Sequence, residues 1–202
     1  MQPIDPSLLT ERENYKFLTG SIIPRPIAFV TTLAEDGTVN AAPFSYFSIV
    51  SADPPLISLA IQRKDGELKD TARNIRAKKE FVVHSVDKGI VRGVNQTAAN
   101  LPANESEIAL THFTPIESTC VAVPAIFEAK VRMECRLEKV IEITNNDQVT
   151  ADLVIGRIVQ YHIEEELYSN GRIDPHGLNA VSRLAGINYA EIGTLFPIDR
   201  PL

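Results

Sequence analysis

Ile27-Ala28-Phe29-Val30-Thr31-Thr32-Leu33 is followed by Glu35-Asp36-Gly37 and then by Val39-Asn40-Ala41-Ala42-Pro43-Phe44-Ser45-Tyr46-Phe47-Ser48-Ile49-Val50. The first run is apolar and rich in β-branched residues, Asp36-Gly37 is a turn signal, and the second run resumes an extended pattern. Two extended runs with so short a connection pair antiparallel as a hairpin. A parallel pair would need a crossover of a dozen or more residues.

Outward from that hairpin the pattern repeats. Pro54-Pro55 opens Leu56–Ile61, and proline at the start of a strand removes no central ladder bond. Phe81–Val86 is a further strand. Ala129–Thr144 alternates through Val131, Met133, Cys135 and Leu137, and Asn145-Asn146-Asp147 turns it back into Leu153–Ile163. Gly156 in that last strand marks a bulge or a close approach of another group. Helices are short. Arg63–Lys69 is a polar loop, Asp70 is the expected N-cap of a helix opening Asp70–Ile75, and Asp87 is the expected cap of a helix from Lys88 to about Asn100. The tail from Asn170 to Leu202 reads as loop with one short helix. Six or seven mostly hairpin-linked strands with two or three short helices predict a mainly β fold with α. It is an antiparallel barrel with appended helices, in one domain over residues 1–202.

The 202 residues are 44% hydrophobic and 23% charged, so the chain can bury a sizeable core and is not a disordered one. A net charge of −6 argues against a dedicated nucleic-acid face, while a few local donors can still hold a small anion. Two cysteines, Cys120 and Cys135, cannot build a disulfide framework and point to a reducing compartment. The N-terminal stretch lacks the basic start and apolar core of a signal peptide, and no apolar run approaches the roughly 18 residues of a membrane helix. A cytoplasmic location with no membrane partner is expected.

Familiar catalytic signatures are absent: no GxGxxG, no Walker A loop, no HExxH and no GxSxG. His84, His112, His162 and His176 have no paired ligand spacing, so no metal is expected. Cys120 and Cys135 read as packing residues. No side chain is assigned a catalytic role, and a bound cofactor is the expected carrier of the chemistry.

Three stretches taken in order carry a resemblance. The first runs from Pro24-Arg25-Pro26 through Thr31-Thr32 to Asn40-Ala41-Ala42-Pro43-Phe44-Ser45-Tyr46-Phe47. The second is Pro54-Pro55-Leu56-Ile57-Ser58-Leu59, then Lys69-Asp70-Thr71 and Asn74-Ile75. The third is Ser182-Arg183-Leu184-Ala185-Gly186, ending in Tyr189. Together they resemble the flavin reductase-like family of FMN-binding split barrels, its flavoredoxin-like branch in particular. The resemblance implies a six-stranded Greek-key split barrel that works as a homodimer, with FMN in a groove near the subunit interface. It also implies NADH or NADPH as donor, with hydride passing from the nicotinamide to the flavin. The alternatives are an electron carrier with tightly held FMN, and a non-enzymatic flavin- or haem-binding barrel. Ala185-Gly186 stands where the family commonly has Gly-Gly, and the segment after Asn100, rich in Asn, Glu and Pro, matches the family poorly.

The resemblance puts the flavin ring against the backbone of Ala42, Pro43, Phe44, Ser45, Tyr46 and Phe47, and the phosphate at Lys69, Asp70 and Thr71. The chemistry of those positions agrees. A helix N-terminus attracts phosphate through its free N–H groups and dipole, with Lys69 adding charge and Thr71 a hydroxyl donor. Small Ala41 and Ala42 let a planar ring approach the chain, while Phe44 and Phe47 are core residues on either reading. Asn74 follows on the same helix. Ser58 is a candidate donor to the phosphate or ribityl chain. Thr31 and Thr32 point to opposite faces of their strand, so one of them, taken as Thr31, faces the groove. Arg25, between prolines, and Arg183 and Tyr189 in the tail complete the candidate contacts.

Overall fold

A computed structural model describes residues 1–64 and 66–201. Its centre is a seven-stranded antiparallel sheet made of β1 (Ala28–Leu33), β2 (Val39–Phe44), β3 (Phe47–Ala52), β4 (Pro55–Gln62), β5 (Glu80–Ser85), β6 (Val131–Asn145) and β7 (Gln148–Ile163). The order across the sheet is β2-β1-β5-β6-β7-β4-β3. β2 and β3 are consecutive in the chain yet form opposite edges, with only Ser45 and Tyr46 between them. The Tyr46 carbonyl accepts from the Ala60 N–H at 2.9 Å. A sheet whose two edges lie two residues apart must curl until they meet, so it closes as a barrel. Phe44 and Phe47, on either side of the break, both pack against the barrel core.

The extended run expected over 39–50, bent at Pro43, is therefore two strands that part at Ser45-Tyr46. Pro43 lies inside β2, where an edge strand tolerates its missing N–H. Six extended segments thus yield seven strands. The Gly156 expectation is met in both its forms. The β6–β7 register shifts between Ile155 and Gly156, and a Cβ placed on Gly156 would sit 2.3 Å from Phe81 Cζ.

Both faces of β1 are buried. Ala28 and Val30 face the barrel interior with Leu59, Phe81, Val83 and Val154, whereas Ile27 and Phe29 pack outside it with Val86, Val94 and Ile126. Fully burying a side chain such as Phe29, Phe81 or Leu59 contributes about 1.5–3 kcal/mol over leaving it exposed. His84 belongs to that outer layer. It accepts from the Ile126 N–H through Nε2 at 2.9 Å, so Nδ1 carries the proton and donates to the Phe29 carbonyl, also at 2.9 Å. Burial holds its pKa down to about 4, and the ring is a neutral structural post.

Among the described residues four α-helices accompany the sheet: α1 (Glu11–Ser21), α2 (Asp70–Lys78), α3 (Val91–Gln96) and α4 (Pro175–Leu178). α2 lays Ala72 and Ile75 on the barrel core. α3 is shorter than the expected 88–100 helix, because Asp87 Oδ1 is taken by the Gly89 N–H at 2.6 Å and the N-cap is Ile90. The tail is more ordered than a loop: Val181–Arg183 pairs with Arg25–Pro26 on one side and Tyr189–Glu191 on the other. Among the described residues no helix is long and apolar enough to cross a membrane.

Candidate functional site

The first turn of α2 borders a polar cavity. Its N-cap is Lys69, not Asp70, and no side chain caps it. Asp70 is instead the first helical residue and pairs with Arg73. The leading N–H groups of the helix are left without a side-chain acceptor, and such a terminus attracts anions. Lys64, Lys69 and Thr71 line a cavity of about 260 Å³ together with Ala42, Pro43 and Phe44 of β2. A second cavity, about 190 Å³, shares Pro43 and Phe44 and leads past Ser45 to Arg183 and Tyr189. The two make a continuous groove along β2, with Lys64 and Lys69 beside the carboxyls of Asp70 and Glu107 at one end and small and apolar residues in its middle.

A buried hydrogen-bond network holds this groove in shape. Asn40 Oδ1 accepts from the hydroxyls of Thr71 (2.9 Å) and Thr32 (3.2 Å), and Asn74 Nδ2 donates to Thr32 Oγ1 at 3.1 Å. Asn40 Nδ2 donates to Glu107 Oε1 at 2.8 Å, and the Ala41 N–H donates to Glu107 Oε2 at 3.0 Å. The first turn of α2 is thereby tied to β1, to β2 and to the segment carrying Glu107. Burial pushes the Glu107 carboxyl above the usual range and the charge of Asp70 adds to that, against the pull of the Ala41 N–H and the Asn40 amide. Thr71 donates its hydroxyl to Asn40, so the donors facing the cavity mouth are backbone N–H groups and lysine ammoniums, a change from the reading of Thr71 as an anion donor.

The remaining candidates separate into other places. Thr31 faces away from the groove and donates to the Pro124 carbonyl at 2.7 Å, so it is Thr32 that looks toward the network. Asn74 is buried in that network and does not line the cavity. Arg25 is 7% exposed and ties backbone together, donating from Nη1 to the Thr19 and Ile22 carbonyls (2.8 and 2.6 Å) and from Nη2 to the Leu184 carbonyl (3.0 Å). With Tyr46, Phe47 and Ser58 it lines a different, largely apolar cavity of about 480 Å³ walled by Leu18 of α1 and by Ile22, which follows that helix. Ser58 therefore stands apart from Lys69 and Thr71, and Ser45 is the candidate that touches both sides. The Arg183 guanidinium lies 4.5 Å over the Tyr189 ring, and the Tyr189 hydroxyl donates to Asn95 Oδ1 at 3.0 Å.

Sequence reasoning passed over Asn40, Thr32 and Glu107 as site residues. Asn40 was within reach, since it opens the Asn-Ala-Ala-Pro stretch. Glu107 gave no local signal, because its partners lie 66 and 67 positions earlier in the chain.

An antiparallel barrel closed where its two edge strands meet, with short helices packed around it, defines a split-barrel protein. Residues 19–177 match the family model described as "Flavin reductase like domain", and the chain belongs to that family. Arg183 and Tyr189 lie beyond the matched span. The chain is 55% identical to the crystal structure of nitrilotriacetate monooxygenase component B from Bacillus cereus, covering 98% of each chain with a TM-score of 0.96. It is 33% identical to Pseudomonas fluorescens 2-nitrobenzoate 2-nitroreductase NbaA, over 99% of this chain and 96% of that one, with a TM-score of 0.89. It is also 50% identical to the Bacillus subtilis protein YwrF, over 96% of both chains.

Proposed function

We propose that the chain is a cytoplasmic, homodimeric NAD(P)H-dependent flavin reductase that binds FMN in the groove along β2. The observation that carries this reading is the uncapped N-terminus of α2 between Lys64 and Lys69, at one end of a groove whose middle is Ala42, Pro43 and Phe44. Those donors suit a phosphate, and those walls suit a flat ring; the residues present fit FMN at both ends. When bound, FMN supplies the two-electron acceptor for a hydride from the nicotinamide.

The protein's own contribution is positional. Lys69 and the first N–H groups of α2 fix the phosphate, and the Asn40–Glu107 network keeps that helix end at a set distance from β2. Phe44 and Pro43 exclude water from the ring's surroundings, and the backbone from Ala42 to Ser45 offers N–H and C=O groups to its polar edge. No proton-transfer role falls to any side chain. The homodimer is supported by α1, which buries only Thr19 against its own chain while exposing Tyr15 and Leu18 on one face, continued by exposed Ile22 just beyond its end. An apolar helix face of that kind wants a partner.

The test is a titration of FMN and of riboflavin, followed by flavin fluorescence, on the wild type and Lys69→Ala. A charge-assisted hydrogen bond is worth roughly 1.5–3 kcal/mol, so FMN affinity is expected to fall by about one to two decades while riboflavin, lacking the phosphate, is indifferent. Equal losses for the two flavins would remove the phosphate from this end of the groove.

A further inference from the structure

Beyond Arg183 and Tyr189 the groove opens into a third space of about 620 Å³, between α3 and the tail hairpin. Arg92, Asn95 and Gln96 come from one face of α3; Arg183, Ile187 and Tyr189 come from the hairpin. Asn95, Arg183 and Tyr189 line both this space and the 190 Å³ cavity that leads to Pro43–Ser45. No carboxylate is among its lining residues. Among the described residues neither Arg92 nor Arg183 makes an ion pair. The carboxylate of Glu191, two residues beyond Tyr189, is engaged by Lys88 at 2.7 Å. In a chain of net charge −6, two unpaired guanidiniums facing one groove are a local reversal of sign.

The polar groups are also set in one sense. Arg183 is held over the Tyr189 ring and donates from Nη2 to the Gly186 carbonyl at 2.6 Å, so its direction is fixed. Tyr189 donates its hydroxyl to Asn95 Oδ1, which orients that amide so that Asn95 Nδ2 remains available to donate. Arg92, Arg183 and Asn95 Nδ2 thus present donors, from two separate elements, to an anion with several oxygens. The volume is in the range of pockets that hold whole cofactors and drug-sized ligands, well above what a single-ring acid needs.

We propose that this groove anchors the diphosphate of a nucleotide electron donor, with Arg92 and Arg183 as its cationic clamp. The proposal deepens the flavin reductase reading and rests on it. It gives the donor its own anionic foothold, separate from the Lys64–Lys69 end, with the rest of the molecule leading toward Pro43–Ser45. Two independent anion sites at the two ends of one groove allow a phosphorylated flavin and a phosphorylated donor to be present together without competing for the same charges.

The experiment is isothermal titration calorimetry with ADP as the probe, on the wild type, Arg92→Gln and Arg183→Gln, each with and without FMN, and with adenosine and benzoate as comparison ligands. Arg92 is exposed and unpaired, so Arg92→Gln tests the clamp without disturbing the fold. The expected result is ADP binding weakened about tenfold or more in each variant, the loss of one charge-assisted contact. Adenosine should bind far more weakly than ADP and be indifferent to the variants, and FMN affinity should be the same in wild type and Arg92→Gln. ADP binding that is absent in the wild type, or equal in wild type and Arg92→Gln, overturns the proposal. Benzoate binding that responds to Arg92→Gln where ADP binding does not overturns it in favour of a carboxylate site. Because ADP is titrated with and without FMN, a failure of the flavin reading would show as absent FMN binding and would be told apart from a failure of the clamp.

Discussion

Two helices of this chain begin in opposite ways. α1 opens with a complete capping box: the Thr10 hydroxyl accepts from the Glu13 N–H at 3.3 Å, and the Glu13 carboxylate accepts from the Thr10 N–H at 2.8 Å. α2 opens with Lys69, which caps nothing. Yet α2 is the helix that packs on the barrel core, and α1 the one that buries a single residue. The difference is one of what each end is for. A helix with little packing to stabilise it needs its cap. A helix already held by Ala72, Ile75 and the Asn40 network can leave its first N–H groups free, and free N–H groups beside two lysines are a binding device.

Converting one end into the other is the strongest way to break the comparison. Lys69→Asp supplies α2 with the cap it lacks and puts a negative charge where a phosphate is expected. Stability should rise by about 0.5–2 kcal/mol, while FMN affinity should fall by at least about two decades, since a cation is removed and an anion added. Chemical denaturation and flavin titration on the same samples read the two effects. A variant that is stabilised but binds FMN normally would mean that the open end is only an uncapped helix.

How far this contrast could be seen in the sequence depends on where its causes lie. The barrel was legible in Ile27–Val50, because strand and turn preferences are local. The break at Ser45-Tyr46 was not, since the residues on both sides are equally extended and only the closing of the sheet divides them. Thr31 was taken for Thr32 for a related reason. β1 is buried on both faces, so its pattern has no polar side to fix which residues face the groove. Asp70 looked like a cap because Asp favours that position, but it sits one residue inside and pairs with Arg73. Glu107 was out of reach, being brought to Asn40 only by the tertiary fold.

Asn40 gives the next largest effect, and it sharpens the comparison by asking what lets α2 do without a cap. Asn40→Ala removes the shared acceptor of Thr71 and Thr32 and one of the two donors to Glu107. Leaving such buried groups unpaired should cost about 2 kcal/mol. The pH dependence follows from Glu107. Its folded pKa is raised, so the folded chain holds that proton more tightly than the unfolded one. Its contribution is fully present below the ordinary carboxylate range and is lost as pH rises through the raised value. Without the Asn40 amide that pull is weaker still, so the cost of Asn40→Ala should be larger at pH 8 than at pH 5. Urea denaturation at the two pH values checks both points, and a cost that is small and independent of pH would show that the network does not bear on α2.

The smallest effect is expected at the other helix, and it completes the contrast. Thr10→Ala removes the acceptor of the Glu13 N–H and one of the two donors to the Glu13 carboxylate. Loss of such a cap costs about 1 kcal/mol, and α1 has little packing to mask it. Flavin affinity should not change, because neither residue lines the groove along β2. The cost should also fade in acid. The Thr10 hydroxyl and N–H hold the Glu13 carboxyl below its usual range. The stabilisation is therefore present above the ordinary carboxylate pKa and is lost as pH falls through the folded value. Below that point wild type and Thr10→Ala should converge toward the cost of the lost hydroxyl acceptor alone. Denaturation curves for the pair at pH 7 and near pH 3 measure this. A difference that grows in acid would mean that the box does not work through the ionised carboxylate, and the two helix ends would then differ in their residues but not in their chemistry.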